Sequence, residues 1–210
     1  MHRRPLAIRA KKWPNKLALL LIKVGFTANG ISTLSVVFGL ATLLALLWQP
    51  HENPRLNFLA AALFIQARLI CNLLDGLVAV EGGKKTPTGG LFNEVPDRFC
   101  DAFTLIGLGY ASSTIWFSVE LGYVATILAF LTAYIRVLGA SLGTGSYFNG
   151  PQAKQQRMAV CTVFLLLTAA SLWTIFLNIA LWIVVIGSWI TCLNRLRLVS
   201  AELKQTGIGQ

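Results

Sequence analysis

Charge is what this chain has least of. Only 12% of its 210 residues are Asp, Glu, Lys or Arg, against 55% hydrophobic residues. So small a charged fraction excludes an ordinary soluble domain, whose composition runs near about 25% charged. Histidine is scarcer still: His2 and His51 stand alone, which excludes a histidine metal site. The four cysteines, Cys71, Cys100, Cys161 and Cys192, show no CxxC spacing and no partnering histidine, so they read as packing residues inside apolar segments. No segment combines aromatic and basic residues in a binding motif, and the net charge of +10 therefore does not indicate nucleic acid. The sequence also lacks an internal repeat, the usual mark of an inverted-repeat transporter.

Long apolar runs are plentiful. Stretches at about 27–48, 57–80, 89–112, 121–142, 158–175 and 177–194 meet the ~20-residue requirement for crossing a bilayer core. They predict an all-α integral membrane protein of six transmembrane helices. The basic residues orient it. Arg3, Arg4, Arg9, Lys11, Lys12, Lys16 and Lys23 precede the first span, Lys84 and Lys85 join spans two and three, and Arg136, Lys154 and Arg157 flank the loop after span four. Arg195, Arg197 and Lys204 follow span six; Arg55 alone falls on the opposite side. By the positive-inside rule both termini and the loop between spans two and three are cytoplasmic.

Three regions follow: 1–26, a basic segment with an interfacial amphipathic helix; 27–198, the six-helix membrane catalytic domain; and 199–210, a cytoplasmic tail. In the first, Trp13, Leu17, Leu20, Leu21 and Phe26 suit a helix lying in the headgroup layer, with Lys12, Lys16 and Lys23 reaching phosphates. A disordered basic tail is the alternative. The apolar run Leu17 to Ile22 is too short, and lacks the cleavage site, for a signal peptide. Without a recognised organelle address, a bacterial-type inner membrane is the simplest location.

Against this apolar background, the acids of Asn72 to Asp101 (NLLDGLVAVEGGKKTPTGGLFNEVPDRFCD) fall inside or between spans two and three. An ionisable group at membrane depth costs roughly 2.5 to 3.5 kcal/mol on insertion scales, so a cluster marks an ion or substrate site. On span two, Arg68, Asn72, Asp75 and Ala79 follow helical spacing and form one polar stripe. Gly76 and Ala79 leave room for a ligand near the backbone, although small residues also permit close helix packing. On span three, Asn93, Asp97 and Asp101 recur every four residues and Glu94 lies three before Asp97. Such hard oxygen donors suit Mg²⁺ or Mn²⁺ bound together with substrate phosphates. The competing reading is a buried ion-pair network in which Arg68 and Arg98 neutralise Asp75, Asp97 and Asp101. The glycine-rich connector from Glu81 to Gly90, with Lys84 and Lys85, could meet a phosphate or serve only as a turn.

At these residues the chain resembles the CDP-alcohol phosphotransferases (CDP-alcohol phosphatidyltransferases), whose motif is D-x2-D-G-x2-A-R-x8-G-x3-D-x3-D. Laid on without a gap, the motif falls on Asn72, Asp75, Gly76, Ala79, Val80, Gly89, Asn93 and Asp97. All the spacings agree, and the residue type differs at Asn72, Val80 and Asn93. Thr27 to Ile31 resembles the family's entry to span one. Tyr134 to Arg136, with Lys154 and Arg157 further on, resembles its basic segment after span four.

The resemblance implies transfer of a phosphatidyl group from CDP-diacylglycerol to an acceptor alcohol, glycerol 3-phosphate or similar, with release of CMP. It implies Asn72, Asp75, Asn93 and Asp97 as ligands of two divalent metals, Mg²⁺ or Mn²⁺, and Asp97 as general base. It places the nucleotide against Asp75, Gly76, Ala79 and Gly89, and the acceptor phosphate against Arg136, Lys154 and Arg157. A homodimer is expected on the same ground. Asn72 and Asn93 remove two negative charges from the four-residue shell, which Glu94, Asp101 or Glu81 could restore. A shifted register with Asp97 and Asp101 as the last acid pair lengthens the spacer and places Asn93 on the motif glycine. A catalytically silent member that binds a nucleotide lipid or supports a membrane assembly is the alternative in a different class; a small ion transporter is a third.

Overall fold

The computed structural model describes residues 12–48, 53–81 and 88–206. Seven helices make up the described chain: α1 (Lys12–Lys23), α2 (Ala28–Leu47), α3 (Pro54–Glu81), α4 (Gly89–Ala111), α5 (Ser118–Ser141), α6 (Lys154–Ser171) and α7 (Ile175–Thr206). Arg3, Arg4, Arg9, Lys11, His2, His51, Lys84 and Lys85 lie outside the described residues, as does the side chain of Glu81 and the tail beyond Thr206.

Local chemistry sets the ends. Thr27 caps α2, its hydroxyl accepting from the Gly30 N–H at 3.1 Å, and α3 opens on Pro54, whose missing N–H costs nothing at a first helical position. Leu172 closes α6 in a left-handed conformation (φ 64°) and gives its N–H to the Thr168 carbonyl. Pro96 lies inside α4, one residue before Asp97, with no N–H to give to the carbonyl of Phe92.

Helices α2, α3, α5 and α7 are long and apolar enough to cross a membrane. Helices α4 and α6 are not, because each carries charged residues that the fold turns inward. The sequence starts the fifth span near residue 158, yet α6 begins at Lys154, so Lys154 and Arg157 sit on a helix and not in a loop. Helix α7 runs continuously through the residues assigned to the start of a tail.

The main helix contacts form a closed circuit: α2 on α3, α3 on α6, α6 on α7, α7 on α5, α5 on α4, and α4 back on α2. Inside it, Leu46, Phe58, Ile65, Leu105, Leu108, Met158, Leu165, Leu177 and Leu181 are buried together. The outside is apolar too, with Leu63, Ile127 and Ile186 each more than half exposed, a surface that lipid covers at no cost and water does not. Glycine permits the closest crossings. A Cβ at Gly109 would stand 2.8 Å from the Ser118 carbonyl oxygen, and one at Gly39 would stand 2.8 Å from Cys100 Sγ. Helix α1 packs on α3 through Ala18, beside Leu73, Leu74 and Leu77, and leaves Trp13, Leu19 and Leu20 exposed.

Candidate active site

The polar residues of α3 and α4 meet where α2 and α6 close over them. Asp75 of α3 is buried, 3% exposed. Its Oδ2 accepts from the Ser32 hydroxyl of α2 at 2.6 Å, while its Oδ1 is buried with no hydrogen-bond partner among the described residues. Among the described residues no arginine pairs with it, whereas the ion-pair reading assigned it one.

Asp97 of α4 receives contacts on both oxygens. Its Oδ1 accepts from the Asn72 side-chain amide at 2.7 Å, and Lys154 Nζ of α6 lies 2.5 Å from Oδ2. Arg68 and Arg98 stand further off, at 3.7 and 4.0 Å. Asp97 lies within electrostatic reach of Asp75, as does Lys154.

Asp101, one turn deeper, is fully buried. Its two oxygens take the guanidinium groups of Arg68 at 2.6 Å and Arg157 at 2.7 Å, and both arginines are buried as well. Arg68 also donates to the Asp97 carbonyl at 3.3 Å, and Arg157 to the Gln152 carbonyl at 3.3 Å. This triad ties α3, α4 and α6 together. An aspartate so enclosed acts as an anchor for two cations.

Glu94 is half-buried and bonds Arg136 of α5 at 2.6 Å, and that guanidinium also lies over the Phe148 ring, 5.1 Å from its centroid. Asn93 is exposed, and its side chain is joined by a hydrogen bond to none of the described residues. The four oxygen-bearing side chains of span three thus share a helix but do not converge: Glu94 reaches α5, Asp97 faces α3 and α6, and Asp101 lies beneath. Gly76 is buried; Ala79 and Gly89 are half-buried. Ser32 is the residue that sequence reasoning missed. Its signal was its place on α2, directly after the Thr27 to Ile31 entry segment and one turn on from Ala28.

A divalent cation is compatible with these residues. No group of three His, Cys, Asp or Glu side chains converges among the described residues. The unpartnered, buried Asp75 Oδ1 is nevertheless the kind of oxygen that a hard cation satisfies. The Asn72 amide nitrogen is directed at Asp97, so its carbonyl oxygen points elsewhere and adds a neutral hard donor. Counting Asp75, Glu94, Asp97 and Asp101 against Arg68, Arg98, Arg136, Lys154 and Arg157 leaves one positive charge in excess, which favours an anionic substrate.

Known proteins are similar to this chain in sequence and in fold. The model of the CDP-alcohol phosphatidyltransferase family matches residues 26–192. An archaetidylinositol phosphate synthase of Pyrococcus horikoshii is 25% identical over 187 residues, spanning 89% of this chain and 90% of its own. A phosphatidylinositol phosphate synthase of Mycobacterium bovis is 23% identical over 197 residues, spanning 85% and 82%. The crystal structure of Mycobacterium tuberculosis phosphatidylinositol phosphate synthase with CDP-DAG bound superposes with a TM-score of 0.75 at 21% identity, covering 90% of this chain and 94% of that one. The same enzyme in complex with manganese and citrate gives 0.73 at 21% identity, over 89% and 88%. The matched residues include every helix that contributes a side chain to the cluster around Asp75 and Asp97, and the chain belongs to the CDP-alcohol phosphatidyltransferase family.

Proposed function

We propose that this protein transfers a phosphatidyl group from CDP-diacylglycerol to a hydroxyl of a phosphorylated acceptor alcohol, releasing CMP. The observation that carries this reading is the pairing of Asp97 with Lys154 beside the unpartnered Asp75 oxygen, inside a site with a net positive charge. The donor's pyrophosphate would lie along Asp75, Gly76, Ala79 and Gly89, where small side chains let it approach the backbone. Asn72, Asp75 and Asp97 would hold Mg²⁺ or Mn²⁺, and Asn93 would join them only with movement of its exposed side chain. The chemistry supplied by a cation there is neutralisation of the pyrophosphate and of the departing CMP.

Asp97 is the base in this reading. The acceptor oxygen attacks the phosphorus that bears the diacylglycerol, the bond from that phosphorus to the CMP oxygen breaks with its electron pair going to CMP, and the acceptor proton passes to Asp97. For this one contact of Asp97 must open, and the half-buried Lys154 is the partner with access to solvent. Arg136 would then face the acceptor phosphate, and Lys154, released from Asp97, would stand between that phosphate and the pyrophosphate. Arg157, buried against Asp101, would serve that site by fixing α6. The relatives' names support an inositol phosphate as acceptor in preference to glycerol 3-phosphate.

Six spans complete the proposed arrangement, with α4 and α6 crossing beside the four apolar helices, both termini cytoplasmic, and α1 in the headgroup layer through Trp13, Leu19 and Leu20. The boundaries 1–26, 27–198 and 199–210, a homodimer and a bacterial inner membrane are retained as part of the same reading. CMP release from CDP-diacylglycerol by purified protein in lipid, with Mn²⁺ and a panel of acceptors, tests it. Release should require one acceptor and vanish in Asp97→Ala that still inserts and purifies as a folded protein; no release with any acceptor would refute the reading.

A further inference from the structure

Four acids surround this site, and the structure gives them unequal freedom. Asp101 is enclosed by Arg68 and Arg157 at 2.6 and 2.7 Å, and Glu94 is bonded to Arg136 at 2.6 Å. Among the described residues this leaves two carboxylates, Asp75 and Asp97, for a cation that meets the pyrophosphate. Asn72 and Asn93 add no negative charge, and Asn93 is exposed. Lys154 and Arg98, both within 4.0 Å of Asp97, already balance these two carboxylates, so one divalent cation matches the two negative charges of the pyrophosphate; a second would leave two positive charges uncompensated in a partly buried site, a cost that grows as the local dielectric falls.

A protein cation already occupies the remaining side. Lys154 Nζ is 2.5 Å from Asp97 Oδ2, with Arg98 behind it at 4.0 Å from the same oxygen. One acceptor remains for a ligand: Asp75 Oδ1 is buried and has no hydrogen-bond partner among the described residues, while its Oδ2 accepts from Ser32 at 2.6 Å. A lysine is a compact point charge on a flexible stem and can follow a phosphate oxygen as the substrate arrives. We infer that this protein binds a single divalent cation, on Asp75, Asp97 and the Asn72 carbonyl, and that the ammonium group of Lys154 stands in place of a second one against the pyrophosphate. The identity of that pyrophosphate, and with it the charge balance, rests on the transferase reading; the availability of only Asp75 and Asp97 among the described acids does not.

The inference is tested by titrating Mn²⁺ into purified protein in lipid nanodiscs, with and without CDP-diacylglycerol, and reading unbound Mn²⁺ by electron paramagnetic resonance. One Mn²⁺ per chain is expected. Lys154→Gln should still bind one, on the order of tenfold more tightly, because a like charge beside the ligand oxygen is gone. Lys154→Glu, which adds a carboxylate where the ammonium stood, should raise the stoichiometry to two. Two Mn²⁺ per wild-type chain, or none, would overturn the inference, and so would an unchanged Mn²⁺ affinity in Lys154→Gln. Measuring CMP release on the same samples separates the two claims. One bound Mn²⁺ without CMP release supports the single site and removes the transferase reading, whereas CMP release with two bound Mn²⁺ does the reverse.

Discussion

Replacing Asp101 by alanine should cost this protein its fold before it costs any chemistry. Asp101 is fully buried, and its two oxygens hold Arg68 at 2.6 Å and Arg157 at 2.7 Å, with guanidinium groups that are 0% and 1% exposed. Without the carboxylate, two cations remain inside the helix bundle, and among the described residues the one counter-charge left to Arg68 is the more distant Asp97 at 3.7 Å. Removing one member of a buried ion pair costs about 3–5 kcal/mol. For a chain of this length each kcal/mol moves the melting temperature by about 2–4 °C, so a fall of about 6–20 °C is expected. The assay is the fraction of detergent-purified protein that stays monodisperse after heating, followed by size-exclusion chromatography. Asp97→Asn is the comparison. Its partner Lys154 has a side chain 22% exposed and can turn to solvent, so this variant should lose CMP release with a much smaller thermal shift. Replacing the whole triad, as Arg68→Met, Asp101→Leu and Arg157→Met together, should recover most of the stability, since apolar side chains of similar volume need no counter-charge. An Asp101→Ala variant that melts within about 2 °C of the wild type would refute the triad as an anchor.

Three further outcomes follow from neighbouring contacts. Ser32→Ala removes the hydroxyl that positions Asp75 Oδ2 and should weaken Mn²⁺ binding by about 10–100-fold, as loss of a group that orients a metal ligand does; unchanged affinity in an electron paramagnetic resonance titration would count against Asp75 as a ligand. Gly109→Ala sets a Cβ 2.8 Å from the Ser118 carbonyl oxygen and 3.2 Å from Val119 Cα. Both are backbone atoms that cannot rotate away, so α4 and α5 must separate at a cost of about 1–3 kcal/mol, read as a lower melting temperature. Glu94→Gln removes the carboxylate that holds Arg136 and should lower the acceptor KM severalfold while leaving kcat near its wild-type value; a raised KM would show that Glu94 orients Arg136 for the acceptor instead of competing with it.

The helices themselves were legible in the amino-acid pattern, because lipid rewards a continuous apolar run whatever packs beside it. The expected first span at 27–48 and the observed α2, and the expected third span at 89–112 and α4, agree to within one residue at either end. The start of α6 was not legible for a reason that concerns charge. A lysine and an arginine ahead of an apolar run read as a loop in water, yet Lys154 and Arg157 find their counter-charges on α4 and so extend the helix inward. The spacing of Asn72 with Asp75, and of Asp97 with Asp101, likewise showed which residues share a helical face, since 3.6 residues per turn is a property of one helix alone.

Depth and partner were decided by the tertiary structure. Asp97 and Asp101 are equivalent in the sequence pattern, one turn apart on the same face. The approach of α3 and α6 encloses Asp101 between two arginines and leaves Asp97 to an amide and a lysine. In the same way Arg157 and Lys154, three residues apart on α6, take different acids, and Ser32 comes to Asp75 from 43 residues away. By itself the sequence determined the membrane character, the helices and the polar face of each, because these depend on composition and on the period of a single element. Which carboxylate is an anchor and which remains available to a cation depends on distances between helices, and those exist only once α2, α3, α4 and α6 have packed.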